Sequence, residues 1–144
     1  MRRAEQLIAI ALPFLWLGLV VGISVIETPL KFRAPGITTP LALGIGRLVF
    51  RALNVVELVI ACVLVVVVVR QARDWPLALL AAVIAILLAQ VFWLRPALDD
   101  RALRVIAGED VPPSSLHVAY IALEGVKLIV LPVLGTALAW RWLA

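Results

Sequence analysis

Four apolar stretches, at about residues 7–27, 48–69, 77–94 and 116–139, dominate this chain, and each approaches or exceeds the ~20 residues an α-helix needs to cross a bilayer. Together they take up most of the 144 residues. That leaves room for one transmembrane domain over 1–144 and none for a separate soluble domain. Hydrophobic residues make up 65% of the chain, well above the ~45–50% usual for soluble domains. The predicted fold is all-α: an integral membrane four-helix bundle with helices over about 7–27, 40–69, 76–95 and 115–140.

The breaks between stretches carry their own signals. Helix 1 is interrupted by Pro13 and is expected to end in "ETPLKFRAPG", where Pro29, Pro35 and Gly36 break the pattern and Lys31 and Arg33 reach headgroups. Thr39 before Pro40 reads as a cap followed by a first-turn proline. The segment "RQARDWP" predicts a tight turn, with Asp74 or Trp75 opening helix 3 near Pro76. Beyond Arg95-Pro96, "ALDDRALRVIAG" alternates apolar and charged residues, which predicts a short interfacial amphipathic helix at about 97–107. Ser114 or Ser115 is placed to cap helix 4, and Trp140, Arg141 and Trp142 form an interfacial anchor. Small residues recur at fourfold spacing in Gly18/Gly22 and in Ala81, Ala85 and Ala89, a pattern that favours close helix packing.

Met1-Arg2-Arg3 ahead of an apolar run resembles a signal peptide, but no small-x-small cleavage pattern follows, so an uncleaved first helix is expected. The net charge of +4 comes from basic residues scattered beside the membrane segments. Anionic lipid headgroups are therefore the expected partner, and nucleic acid is not. Arg2, Arg3, Arg70, Arg73 and Arg141 lie on one face. Lys31, Arg33, Arg95, Arg101 and Arg104 lie on the other, joined by Arg47 and Arg51 if those fall outside the core, so the positive-inside count is nearly tied and assigns no orientation. The expected location is a bacterial inner membrane, as a multi-pass protein.

The polar residues within the apolar stretches are not scattered. Helix 2 carries Arg47, Phe50, Asn54 and Glu57, and helix 4 carries His117, Tyr120, Glu124 and Lys127, both at steps of three, four and three. At about 100° per residue each set falls within an arc of about 80°. Two helices that each follow a long loop in a four-span chain run parallel, so the stripes share a depth. Helix 1 adds Ser24 and Glu27 at that end, and helix 3 adds Gln90, Trp93 and Arg95. The opposite half is almost entirely Val, Leu, Ile and Ala. An ionised side chain facing lipid costs ~2.5–3.5 kcal/mol at mid-membrane, so these groups are expected to face inward and to pair, Glu57 with Lys127 first and Glu124 as the alternative.

The candidate vestibule thus comprises Glu27, Arg47, Asn54, Glu57, Gln90, Arg95, His117, Tyr120, Glu124 and Lys127. Three readings fit it: handling of a small polar or ionic solute, structural glue in an accessory subunit of a larger membrane complex, or a membrane enzyme acting on a lipid headgroup. His117 with Glu124 has acid–base potential, but there is no HExxH, GxSxG or Walker-type loop, so no catalytic residue is assigned. A single His, a single Cys and a lone initiator Met argue against haem or zinc, and no cofactor is expected. A carboxylate-rich metal site could be drawn only from Glu27, Glu57, Glu124 and His117. Cys62, the only cysteine, is expected to pack rather than to react. A homo-oligomer or a partner complex would form through the Gly18/Gly22 face.

Three segments, "LWLGLVVGISVIETPLKFR", "LALGIGRLVFRALNVVE" and "PPSSLHVAYIALEGVKL", resemble the TMEM205-like (DUF4149) family of small four-helix membrane proteins. The resemblance covers most of the chain and implies the same four-helix fold. The chain departs from the family's form in its shorter loop before helix 3. Animal members are linked to drug and metal resistance, which implies a fold more than an activity.

Overall fold

A computed structural model describes residues 3–70 and 74–143. It contains four helices long and apolar enough to cross a membrane: α1 (Arg3–Lys31), α2 (Thr39–Val68), α3 (Trp75–Ile106) and α4 (Leu116–Leu143). There is no strand among the described residues. The chain is thus an all-α, multi-pass membrane four-helix bundle. Gln71, Ala72 and Arg73 of the expected turn, and Met1 and Arg2 of the charge count, lie outside the described residues.

The helix boundaries reflect local chemistry. Thr38, not Thr39, caps α2: its hydroxyl accepts the Leu41 N–H at 3.3 Å, and Pro40 occupies the first turn. The Ser114 hydroxyl accepts the Leu116 N–H at 3.2 Å to start α4. Gly36 and Gly108 take φ of +79° and +84°, a conformation open to glycine, where the chain turns after α1 and α3.

Prolines expected to end two helices do not end them. Pro29 and Pro96 each lack an N–H and would press on the carbonyl four residues back. In both cases a π-helical stretch lies just before the proline, Val21–Glu27 in α1 and Gln90–Leu94 in α3. The wider turn reassigns the backbone partners: the Thr28 N–H bonds the Ile23 carbonyl, and the Arg95 N–H bonds that of Gln90. The Thr28 hydroxyl also donates to the Ile23 carbonyl at 2.9 Å. Such local widening keeps backbone groups satisfied where water is absent. The amphipathic segment expected over 97–107 is accordingly helical over Arg95–Ile106 and runs on from helix 3 without a break.

Cross-helix contacts define the topology. α1 meets α4 at Phe14–Gly135 and again at Ser24–Glu124, so the two are antiparallel. α1 meets α2 at Trp16–Glu57 and at Lys31–Gly46, also antiparallel. α2 meets α4 at Phe50–Tyr120 and Glu57–Lys127, seven residues on along each helix, so this pair is parallel as the stripes require.

The apolar core fills one half of the bundle, with Ala9, Trp16, Ile60, Leu64, Val83, Leu87, Leu131 and Leu134 among its members. On α3 the inward line is Leu80, Val83 and Leu87, while Ala81 and Ala85 of the alanine stripe are exposed. The stripe does not form a close helix contact: Ala81 and Ala85 line a groove with Val65 and Val69 at the end of α2, and Ala89 is half-buried. Nor does the Gly18/Gly22 pair: a Cβ added at either would meet nothing within 4 Å. The close approach occurs elsewhere, at Gly135, where a Cβ would lie 2.6 Å from the Phe14 ring. Cys62 is exposed on the outer face of α2 and does not pack in the core.

These glycines separate in a test. Gly135→Ala must displace an aromatic ring, and overpacking of this kind costs ~1–3 kcal/mol. Gly18→Ala and Gly22→Ala are expected to leave the stability of the monomer unchanged. Thermal unfolding of the three variants in detergent checks the ranking, and a Gly135→Ala variant as stable as wild type would contradict the α1–α4 contact.

Candidate functional site

At the middle of the bundle the Lys127 ammonium lies between two carboxylates, 2.6 Å from Glu57 Oε1 and 2.6 Å from Glu124 Oε1. Lys127 and Glu57 are fully buried and Glu124 is 5% exposed. Both pairings weighed from the sequence therefore occur at once. Desolvating three ionisable groups carries a penalty that Coulomb attraction offsets only when the geometry is good and the remaining lone pairs are hydrogen-bonded.

Further donors for those lone pairs come from α1 and α3. Trp16 Nε1 of α1 donates to Glu57 Oε1 at 2.7 Å. Ser24 of α1 donates to Glu124 Oε2 at 2.7 Å, and Gln90 Nε2 of α3 donates to Glu124 Oε1 at 2.8 Å. Ser24 and Gln90 both belong to the π-helical stretches. The same widening that carries α1 and α3 past their prolines thus presents the two donors that hold Glu124.

The cluster is not closed. Glu57 Oε2, Asn54 Oδ1 and Gln90 Oε1 are buried acceptors without a hydrogen-bond partner, and the buried Tyr120 hydroxyl is likewise unpartnered. With two carboxylates to one ammonium, acceptors are in excess at the centre, and either carboxylate alone can neutralise Lys127.

Above this core is an aromatic layer in which the Phe50 and Tyr120 rings meet edge to face with centroids 5.7 Å apart. The Arg95 guanidinium covers it, 4.9 Å from the Phe50 centroid and 5.7 Å from that of Tyr120. Beyond lies an outer chamber of about 110 Å³ whose lining includes Lys31, Gly46, Arg47, Phe50, Arg95 and His117. Asp99 Oδ1 ties two of its cations together, 3.0 Å from Arg95 and 3.7 Å from Arg47. Lys31 reaches in from the end of α1, held by Glu27 at 3.3 Å.

The structure thus gathers Asn54, Glu57, Gln90, Tyr120, Glu124 and Lys127 into a buried centre and places Arg47, Arg95 and Glu27 around the chamber. His117 does not join the buried stripe; it is exposed on the first turn of α4, at the chamber's rim. Trp93 is 73% exposed and points away from the bundle. Glu27, Glu57, Glu124 and His117 do not converge, and no group of acidic, His or Cys side chains among the described residues is arranged to hold a metal ion. Sequence reasoning missed Trp16, Lys31 and Asp99 as parts of the site. A signal existed for Trp16, because an indole N–H in mid-membrane instead of at the interface needs a buried acceptor.

A larger concavity, about 650 Å³, is a mainly apolar groove at the other end of the bundle, lined by Trp75, Pro132, Thr136 and Trp140 among others. Its polar lining includes Thr136, whose hydroxyl donates to the Pro132 carbonyl, and Arg141, which pairs with Asp74 at 3.7 Å. In comparisons with known proteins, no family model, no curated protein and no solved structure matches the chain.

The shared ammonium predicts an unequal mutant series. Lys127→Met leaves two buried carboxylates facing each other, and breaking a buried pair in this way costs about 3–5 kcal/mol. Glu57→Gln is expected to cost less, because Lys127 keeps Glu124. Replacing all three by Glu57→Gln, Glu124→Gln and Lys127→Met should recover much of the loss, a coupling read from thermal midpoints in detergent. Equal costs for the two single variants would show that Lys127 does not bridge the carboxylates.

Proposed function

We propose that this protein handles a small polar or ionic solute at a one-sided vestibule within the membrane. One observation carries the reading: a buried ammonium shared by two carboxylates, with three unfilled acceptor atoms around it, lies directly beneath a cationic chamber. Intramembrane ionisable residues that face the bundle interior mark solute and proton pathways in membrane proteins. Excess acceptors at the centre and cations at the mouth supply graded polarity along a single path, while the other half of the bundle is packed with apolar side chains. The reading extends to residence in a bacterial inner membrane and to kinship with the TMEM205-like family, on the segments that resemble it.

A second reading has its own observation. The Gly18/Gly22 face of α1 is open within the chain, so a helix of another subunit could approach it closely. In that case the chain would be an accessory or assembly subunit, or a homo-oligomer, and the buried cluster would fix helix register.

The readings part on binding. A solute that binds the native state raises its apparent stability, by ~2.7 kcal/mol at a hundredfold excess over Kd. A screen of small ions and polar solutes on the purified protein is expected to find at least one that raises the thermal midpoint of wild type but not of Glu57→Gln. Cysteines placed at Glu27, Arg47 and His117 should react with a membrane-impermeant thiol reagent from one and the same side. No stabilising solute, together with retention in a larger assembly extracted from native membrane, would favour the accessory reading.

A further inference from the structure

We propose that the outer chamber binds a single oxyanion of the phosphate type, held by Lys31, Arg47 and Arg95. This rests on the vestibule reading and names the class of ligand that its mouth accepts.

Hydrogen-bonding capacity is unbalanced in opposite senses on the two sides of the Phe50–Tyr120 layer. At the core the unfilled atoms include the acceptors Glu57 Oε2, Asn54 Oδ1 and Gln90 Oε1, and the Tyr120 hydroxyl is unpartnered in the layer itself. In the chamber the unfilled atoms are donors: Arg47 Nε and Arg95 Nε are buried, and neither has a hydrogen-bond partner. Lys31, Arg47 and Arg95 pair with Glu27 and Asp99, and Arg51 lines an adjoining cavity with Arg95 and Asp99, so cations outnumber carboxylates on this side. At the core Glu57 and Glu124 share the single ammonium of Lys127. Coulomb attraction across an aromatic layer satisfies no N–H group. A buried donor left unmade costs about as much as a hydrogen bond is worth, and more on a charged group. An oxyanion supplies both missing quantities, one or two negative charges and several acceptor oxygens. Guanidinium groups recognise such oxygens well.

The chamber is built to hold its cations in place. The Lys31 side chain is only 9% exposed and that of Arg95 14%. Lys31 can lie there because residue 46 is glycine: a Cβ at that position would be 2.9 Å from the ammonium nitrogen. Asp99 Oδ1 bonds Arg95 through Nη2 at 3.0 Å and faces Arg47 Nε at 3.7 Å, too far for a hydrogen bond, so both Nε–H groups stay unfilled. Ala42, in the first turn of α2, lines the same space, so the positive end of that helix adds to the field. About 110 Å³ suits one small tetrahedral ion and no bulky organic solute.

A phosphate group can reach this chamber as a free ion or as a lipid headgroup, and the test has an arm for each. The full chain, purified in a maltoside detergent, is titrated with sodium phosphate against sodium gluconate at matched ionic strength. A second titration uses phosphatidylglycerol against diacylglycerol in the same micelles. The expected result is a saturable rise in thermal midpoint with phosphate or with phosphatidylglycerol. Arg47→Gln and Arg95→Gln should each weaken the apparent affinity at least tenfold. Gly46→Ala should do the same, since it evicts only the flexible end of Lys31. Arg104→Gln removes an equal charge from the exposed surface of the same face and should leave the affinity as in wild type. A response to phosphate alone assigns the chamber to a free ion, and a response to the lipid assigns it to a headgroup.

The proposal is overturned if neither titration differs from its control, or if Arg47→Gln and Gly46→Ala bind like wild type. In either case, a cation or neutral solute that still stabilises wild type but not Glu57→Gln leaves the vestibule reading standing. If no solute of any class does so, both fail.

Discussion

The bundle is organised around one buried ammonium. Lys127 sits where the bilayer offers no water, so α4 can occupy that depth only if carboxylates reach it from within the protein. Glu57 arrives from α2, and Glu124 comes from one turn earlier on α4 itself. Two carboxylates bring four oxygens that also need donors, and these draw in Trp16 and Ser24 from α1 and Gln90 from α3. Each helix is thereby tied to the same few ångströms of space. The apolar half, packed by non-directional contacts among Leu, Val and Ala, tolerates sliding; the hydrogen-bonded centre sets the depth at which the helices stop.

The π-helical stretches belong to the same constraint. A proline near the end of a membrane helix ordinarily leaves a carbonyl unpaired, and in α1 and α3 a widened turn resolves this while re-aiming one polar side chain each. Ser24 and Gln90 are not neighbours in sequence or on one helix, yet they converge on opposite oxygens of Glu124. Widened turns of this kind are frequent at functional sites. Here their geometric consequence is plain: without them, the inward face of α1 and of α3 would fall at a different angle from the centre.

The stripes of α2 and α4 were legible because a helix converts spacing into direction, and steps of three, four and three leave little freedom about which face is polar. Their common depth followed from span count alone. What stayed hidden depended on departures from regular helix or on side chains that belong to two classes. Trp93 lies three residues beyond Gln90, within reach of its face on an α-helix, but the wide turn there carries it outward and brings Leu94 in. His117 continues the α4 stripe on paper, but it falls in the first turn, beyond the depth at which neighbouring helices close around it. The alanine stripe of α3 has the spacing of a packing face, while the larger Leu80, Val83 and Leu87 do the packing. Trp16 reads as a lipid-facing aromatic until its indole N–H is asked for an acceptor. Gly46 carries no signal in the sequence, since its role is to leave room for a side chain from another helix.

Whether such a centre is cement or a working site turns on closure. A buried ionic group kept for helix register does best when every donor meets an acceptor, because each unmade bond is a standing cost that apolar packing of similar volume would avoid. Here bonds are left open throughout: acceptors of Glu57, Asn54 and Gln90, the Nε–H groups of Arg47 and Arg95, and the Tyr120 hydroxyl in the aromatic layer that Arg95 covers. A shared ammonium and a cationic chamber thus adjoin across two rings and one guanidinium, and neither is closed. A group or ion that crosses the layer must exchange the cations of the chamber for the Glu57–Lys127–Glu124 centre, with the Phe50 and Tyr120 rings between them.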